Sequence, residues 1–191
     1  MTHVTIIGTG NMGTAIGGLF AAGGATVDYI THEDLATAQV QGDTVVLAVP
    51  HPAVAGILDT LKTQLAGKTV VDITNPVNFE TFDSLVVAPG SSKAAEIQAA
   101  LPDSTVLKAF NTNFAATLAS KHVGDEQTTV LIAGNSADAK ASLAAALTKA
   151  GVKAVDAGSL KRAVELEALG FLQVTLAAGE KTSWTTGFAL L

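Results

Sequence analysis

The chain has 191 residues, 48% of them hydrophobic and 15% charged, with 11 Lys+Arg against 17 Asp+Glu for a net charge of −6. That is enough apolar side chain for one sizeable core, so a disordered chain is excluded. The acidic balance, with Arg162 the single arginine, leaves no basic footprint for nucleic acid or an anionic membrane. The absence of cysteine excludes disulfides, thiolate nucleophiles and Cys-ligated metals together.

The first residues, "MTHVTIIGTG", lack the basic start and the sustained apolar run of a signal peptide, and Pro, His, Asp or Glu interrupts every apolar stretch of membrane-spanning length. A cytoplasmic protein is expected. "HVTII" reads as a strand that runs into Gly8-x-Gly10-x-x-Gly13, and a helical pattern over 11–22 runs out of it. In this context the three glycines have separate tasks. Gly8 permits the tight turn, Gly10 lets backbone approach a pyrophosphate, and Gly13 lets helix pack against strand. The free N–H groups around Asn11 and Met12 then meet phosphate at the positive helix end.

"TVDYI" is the second strand. A carboxylate that binds an unmodified ribose belongs at the strand end, roughly 20 residues past the first glycine. Asp28 has the spacing, yet two more apolar residues follow it, which puts it inside the strand. The strand end falls at Ile30-Thr31-His32, where a hydroxyl beside an imidazole suits a ribose phosphate and therefore NADP. The other reading of 31–34 is a helix-start cluster with Thr31 as N-cap. The next strand is so near that this crossover must be abbreviated.

Beyond it the strands "TVVLAV", "TVVDI", "TVLKAF", "TTVLIAG" and "VKAVDAG" alternate with helical patterns over 53–65, 92–101, 114–120, 137–150 and 161–178. Apolar residues on both faces of several strands predict a doubly wound, mainly parallel α/β sheet of the Rossmann type, with a shortened second crossover and a long C-terminal helix. Nothing marks a boundary, so 1–191 is expected to be one dinucleotide-binding domain with a helical extension. Three further strand ends carry polar or turn residues at the edge where such sheets bind ligands: Val49-Pro50-His51, Thr74-Asn75-Pro76 and Phe110-Asn111-Thr112. Asn75 and Asn111 can hydrogen-bond a carboxamide such as that of nicotinamide, or serve as ordinary turn residues. His51 is a candidate general acid or a solvated loop residue; His3 and His122 read as surface residues. No histidine or carboxylate spacing suggests a metal, and no G-x-S-x-G suggests a hydrolase.

"GTGNMG", "LAVP", "DITNP", "KAFNT" and "VDAGSLKRAVELEAL" occur in an order that resembles the coenzyme F420-dependent NADP oxidoreductase family over nearly the whole chain. The resemblance implies hydride transfer between NADP(H) and the deazaflavin F420, with the two rings stacked. It implies that Thr9, Asn11 and Met12 lie on the pyrophosphate, and that Thr31-His32 match a Ser-Arg pair on the ribose phosphate. It also implies that Val49-Pro50 and Asn75-Pro76 flank the nicotinamide, and that Asn111, Thr112, Asn113 and Phe114 contact the deazaflavin. The family's phosphate-site arginine is His32 here.

Ring-to-ring hydride transfer needs orientation and exclusion of water more than an acid or base, which suits a chain with few candidate catalytic side chains. The expected function is an NADP-dependent oxidoreductase with a small-molecule hydride acceptor such as F420. A reductase of free flavin, quinone or metal chelate, and a non-catalytic module sensing NADP(H), stay open on the same residues. The apolar stretch 166–176 suits a homodimer or a plain core helix, and Trp184 and Phe188 would close the pocket or pack a subunit interface.

Overall fold

A computed structural model describes residues 2–191. Its main sheet has seven strands in the order β2-β1-β3-β4-β5-β8-β9, all neighbours parallel except β5 and β8. The strands are β1 His3–Ile7, β2 Thr26–Ile30, β3 Thr44–Leu47, β4 Thr69–Asp72, β5 Thr105–Lys108, β8 Thr129–Gly134 and β9 Lys153–Gly158. All seven strands expected from the sequence form. A separate two-stranded hairpin, β6 His122–Val123 with β7 Glu126–Gln127, was not legible as strand.

The helices are α1 Asn11–Ala22, α2 Val54–Leu65, α3 Lys93–Ala100, α4 Ala115–Ser120, α5 Ala137–Ala150 and α6 Ala163–Ala178, with single 3-10 turns at His51–Ala53 and Leu160–Arg162. Each lies within a residue or two of its expected span. Ser92 and Ser136 cap α3 and α5 by accepting the N–H of Ala95 and Ala139. Gly151, in the left-handed conformation, ends α5.

The strands are apolar on both faces because the sheet is covered on both. Val4, Ile6, Val46, Val71 and Leu107 enter one core with Ile16 and Phe20 of α1 and Leu143 and Leu147 of α5. Their strand neighbours Ile7, Val45, Leu47, Val70 and Val106 enter the other, with Leu61 and Leu65 of α2 and Ile97 of α3.

Between β2 and β3 there is no helix. Residues 31–43 turn back irregularly, and side chains satisfy their backbone. Gln64 accepts the N–H of Val40 at 2.9 Å and donates to the Ala38 carbonyl at 3.0 Å. The buried Thr5 hydroxyl accepts from Gly42 N–H at 2.8 Å, and Lys68 donates to the Gly42 carbonyl at 2.7 Å. A Cβ on Gly42 would come within 2.5 Å of Thr5 N, so only glycine lets the crossover pass β1 this closely. Because β2 goes to one side of β1 and β3 to the other, the sheet reverses at β1, and a crevice opens beyond the carboxyl ends of β1 and β3.

Candidate functional site

The glycine turn stands at that crevice. Gly8 adopts φ +108°, a conformation open to glycine, and a Cβ there would overlap the Ala48 carbonyl at the end of β3. A Cβ on Gly13 would overlap the Gly8 carbonyl, so α1 rests directly on the turn. Gly10 differs: nothing lies within 4 Å of where its Cβ would be. It is the N-cap of α1, with no side chain capping the helix and no acidic residue in the first turn. The orphan N–H groups and the positive helix end thus face open space, an arrangement fitted to an anion such as a pyrophosphate.

Thr31 follows β2 directly. Its hydroxyl donates to the Asp34 carboxylate at 2.6 Å and accepts the Asp34 N–H at 3.3 Å, closing a turn that no helix continues. His32 is exposed beside it. Asp28 sits mid-strand, paired in register with Thr5, and bonds His3 at the opposite end of the sheet from the crevice. It is thus turned away from a ribose, as its apolar followers suggested. His3 is half-buried in that pair, which corrects its reading as a surface residue.

Val49 and Pro50 leave β3 at the crevice, half-buried and exposed respectively. His51 Nε2 lies 3.1 Å from the Val77 carbonyl, to which it donates when protonated there, and the ring stacks on Phe79 at 5.9 Å between centroids. Phe79 in turn meets Phe82 edge-on at 5.6 Å. This aromatic group belongs to a small loop closed by the Val77–Leu85 bridge, with Phe82 held at φ +52°.

Asn75 and Asn111 are brought together, but against each other. Asn75 Nδ2 donates to the Asn111 carbonyl at 2.8 Å, and Asn111 Nδ2 donates to Asn75 Oδ1 at 2.9 Å and to the Leu166 carbonyl at 2.7 Å. Gly170 on α6 makes room, since a Cβ there would overlap Asn75 Oδ1. Pro76 is buried beside them. The turn after β5 rests on Phe110, whose ring is anchored edge-on against Phe20 while its backbone takes φ +63°. A left-handed phenylalanine is costly and persists only when its surroundings hold it. It delivers Asn111, Thr112, Asn113 and Phe114, all at least nine-tenths buried. Asn113 Nδ2 donates to the Thr129 carbonyl at 3.0 Å, and Phe114 meets the ring of Trp184 at 5.0 Å. A groove of about 980 Å³ runs from Asn11 and Met12 along α1 and α4 to Phe114 and Trp184.

The sequence reading missed what holds these loops. Asp72 and Lys108 are register partners at the ends of β4 and β5, fully buried and 2.8 Å apart. Lys108 also reaches Glu167 of α6 at 2.9 Å and the Thr74 carbonyl. Asp72 accepts Thr74 N–H at 2.9 Å, and Glu167 accepts Lys93 N–H at 2.9 Å at the start of α3. Burial, and secondarily the nearby Asp72 charge, raise the Glu167 carboxyl above its usual range against the pull of Lys108. The available signal was a shared pattern: "TVVD" and "TVLK" are adjacent buried strands ending in opposite charges.

Among the described residues no helix is long and apolar enough to cross a membrane, and no group of three His, Asp or Glu could hold a metal ion. Residues 19–76 match the family described as NADP oxidoreductase coenzyme F420-dependent. The F420-dependent NADP reductase of Methanocaldococcus jannaschii is 30% identical over 166 residues, 85% of this chain and 74% of that protein. The rat metalloreductase STEAP3 is 36% identical over 113 residues, 59% of this chain and 22% of that protein. A structure from Arthrobacter sp. FB24, provisionally assigned as an F420-dependent NADP reductase, superposes with a TM-score of 0.88 over 100% of both chains at 23% identity. The fold and its glycine turn define a Rossmann-type oxidoreductase. The chain belongs to the F420-dependent NADP oxidoreductase family.

Proposed function

We propose that this protein takes hydride from NADPH and passes it to a planar flavin-like acceptor, F420 being the acceptor its relatives' names support. The reverse transfer uses the same site. The observation that carries the reading is the open space at Gly10 beside the uncapped start of α1. A dinucleotide would lay its pyrophosphate across Gly8, Thr9, Gly10, Asn11, Met12 and Gly13, held by backbone N–H groups.

In this reading Thr31 and His32 take the ribose phosphate, at the cost of loosening Thr31 from Asp34. Val49, Pro50 and His51 on one side, and Asn75 and Pro76 on the other, border the nicotinamide. The segment Asn111, Thr112, Asn113 and Phe114 supports the acceptor. Bound NADPH would supply the hydride; the chain's own part is to align two rings and exclude water, and no side chain is assigned as an acid or base. The Lys108 cluster serves this by fixing the loops after β4 and β5. We treat the whole chain as one domain, with α6 and the tail as its extension and the half-exposed Leu172 face of α6 as the surface on which two copies would pair.

The test is the absorbance loss of F420 on addition of purified protein, with NADPH and NADH compared. F420 reduction favouring NADPH supports the reading, and loss of NADPH absorbance without any F420 change sinks the acceptor. The likeness to a metalloreductase favours a second reading, reduction of a metal chelate, which a parallel assay with ferric citrate as the probe tests.

A further inference from the structure

Six buried side-chain oxygen or nitrogen atoms have no protein partner among the described residues: Thr74 Oγ1, Asn111 Oδ1, Asn113 Oδ1, Thr129 Oγ1 and both amide atoms of Gln173. Buried polar groups are nearly always paired, so each such atom needs a reason. Asn111 and Asn113 keep bonds through their other amide atom. Gln173 keeps none, although its residue is only 4% exposed.

Its position gives the reason. Leu166, Gly170 and Gln173 follow one another at turn spacing on the buried face of α6. Leu166 accepts from Asn111, Gly170 lies against Asn75 and Asn111, and Gln173 comes one turn further on. There its Nε2 lies 3.8 Å from where a Gly187 Cβ would be, beneath the C-terminal strap whose Trp184 covers Phe114. Beyond residue 182 the strap's bonds are internal, apart from one between the exposed Lys153 ammonium and the Leu190 carbonyl at 3.4 Å. Gln173 thus lies under a lightly held cover, the same strap that packs Trp184 on Phe114.

A primary amide offers one acceptor and two donors in a plane. Its complement is a planar edge with N–H beside C=O. The pyrimidinedione edge of a flavin or deazaflavin has it, and so does the nicotinamide carboxamide. We propose that Gln173 sets acceptor specificity by pairing with the N–H/C=O edge of the acceptor ring. The acceptor is favoured over nicotinamide because Gln173 lies one turn of α6 beyond the Gly170 contact with Asn75 and Asn111, under the same C-terminal strap whose Trp184 covers Phe114. The assignment rests on the reductase reading above and names the group that would recognise its second substrate.

The experiment compares wild type with Gln173→Leu and Gln173→Glu, using F420 and FMN as acceptors that carry the edge and menadione as one that lacks it. Loss of the paired amide is expected to raise KM for F420 and FMN about tenfold. NADPH affinity, menadione turnover and the thermal midpoint of Gln173→Leu should hold or, for the midpoint, rise. An unchanged KM for F420 and FMN, or an equal rise with menadione, would overturn the proposal. So would weakened NADPH binding with KM for the acceptor intact, which would hand the amide to nicotinamide. If wild type reduces no acceptor, the reductase reading falls by itself. Fluorescence titration of F420 with the NADP-loaded proteins then decides Gln173: weaker binding by the variants supports it, while equal binding or none by wild type overturns it.

Discussion

Lys108 and Glu167 meet 2.9 Å apart, one on the last residue of β5 and the other on α6, and neither side chain has more than 1% of its surface exposed. With Asp72 also on Lys108, two carboxylates share one ammonium. Removing the lysine would strand both carboxylates in the interior. Lys108→Ala is expected to cost about 3–5 kcal/mol, measured by urea unfolding. The double variant Asp72→Asn, Lys108→Met should recover part of that loss, and additive losses would show that the pair is not coupled.

The same cluster makes stability depend on pH with a defined sign. The folded-state Glu167 carboxyl titrates above its ordinary value of 4.5 because burial opposes the charge. The folded chain therefore holds this proton more tightly than the unfolded one. Its contribution is fully present below about pH 4.5 and declines as pH rises through the folded value. Glu167→Gln should flatten that decline in a series of unfolding curves from pH 4 upward, and an unchanged slope would remove Glu167 as its source.

Gly8 and Gly10 should fail in different ways. Gly8→Ala places a Cβ on the Ala48 carbonyl at a positive φ and should cost about 2–5 kcal/mol of folding stability. Gly10→Val has free space and an extended backbone, so its melting temperature should match wild type. Forcing the side chain into space a pyrophosphate would fill should cost about 1–3 kcal/mol of NADPH affinity, read by calorimetry. Full binding by a folded Gly10→Val would remove the turn from the cofactor site.

The Thr31–Asp34 pair bears on the ribose. A carboxylate beside a ribose phosphate opposes it, so Asp34→Asn should improve NADPH binding while leaving NADH binding unchanged. His32→Arg should tighten NADPH roughly tenfold through a charge-assisted hydrogen bond. Equal gains for NADH in either variant would separate these residues from the phosphate.

The sheet was legible because its strands announce themselves as β-branched runs, and the short crossover because so few residues divide "TVDYI" from "TVVLAV". The glycine turn was legible because strand, spacing and helix agree. Asn75 and Asn111 were found by position, but their bonds to each other depend on Gly170, far along the chain, and nothing local foretells that. Phe110 was unreadable for another reason: local preference argues against a left-handed phenylalanine, and only the Phe20 ring behind it explains the choice. Lys108 stood inside the expected strand "TVLKAF" and drew no reading of its own, because its partners Asp72 and Glu167 lie far away along the chain.

The irregular path from β2 to β3 decides how a cofactor would be held as well as how the chain crosses. Without a strand outside β2 or a helix over 31–43, no regular element stands beyond Thr31 to close over an adenosine. A dinucleotide seated on the glycine turn would be gripped at its middle and left open at one end. Such a ligand exchanges quickly, and a grip concentrated on charged phosphates weakens as ionic strength rises. A nucleotide held in this way would be borrowed and returned, turnover by turnover.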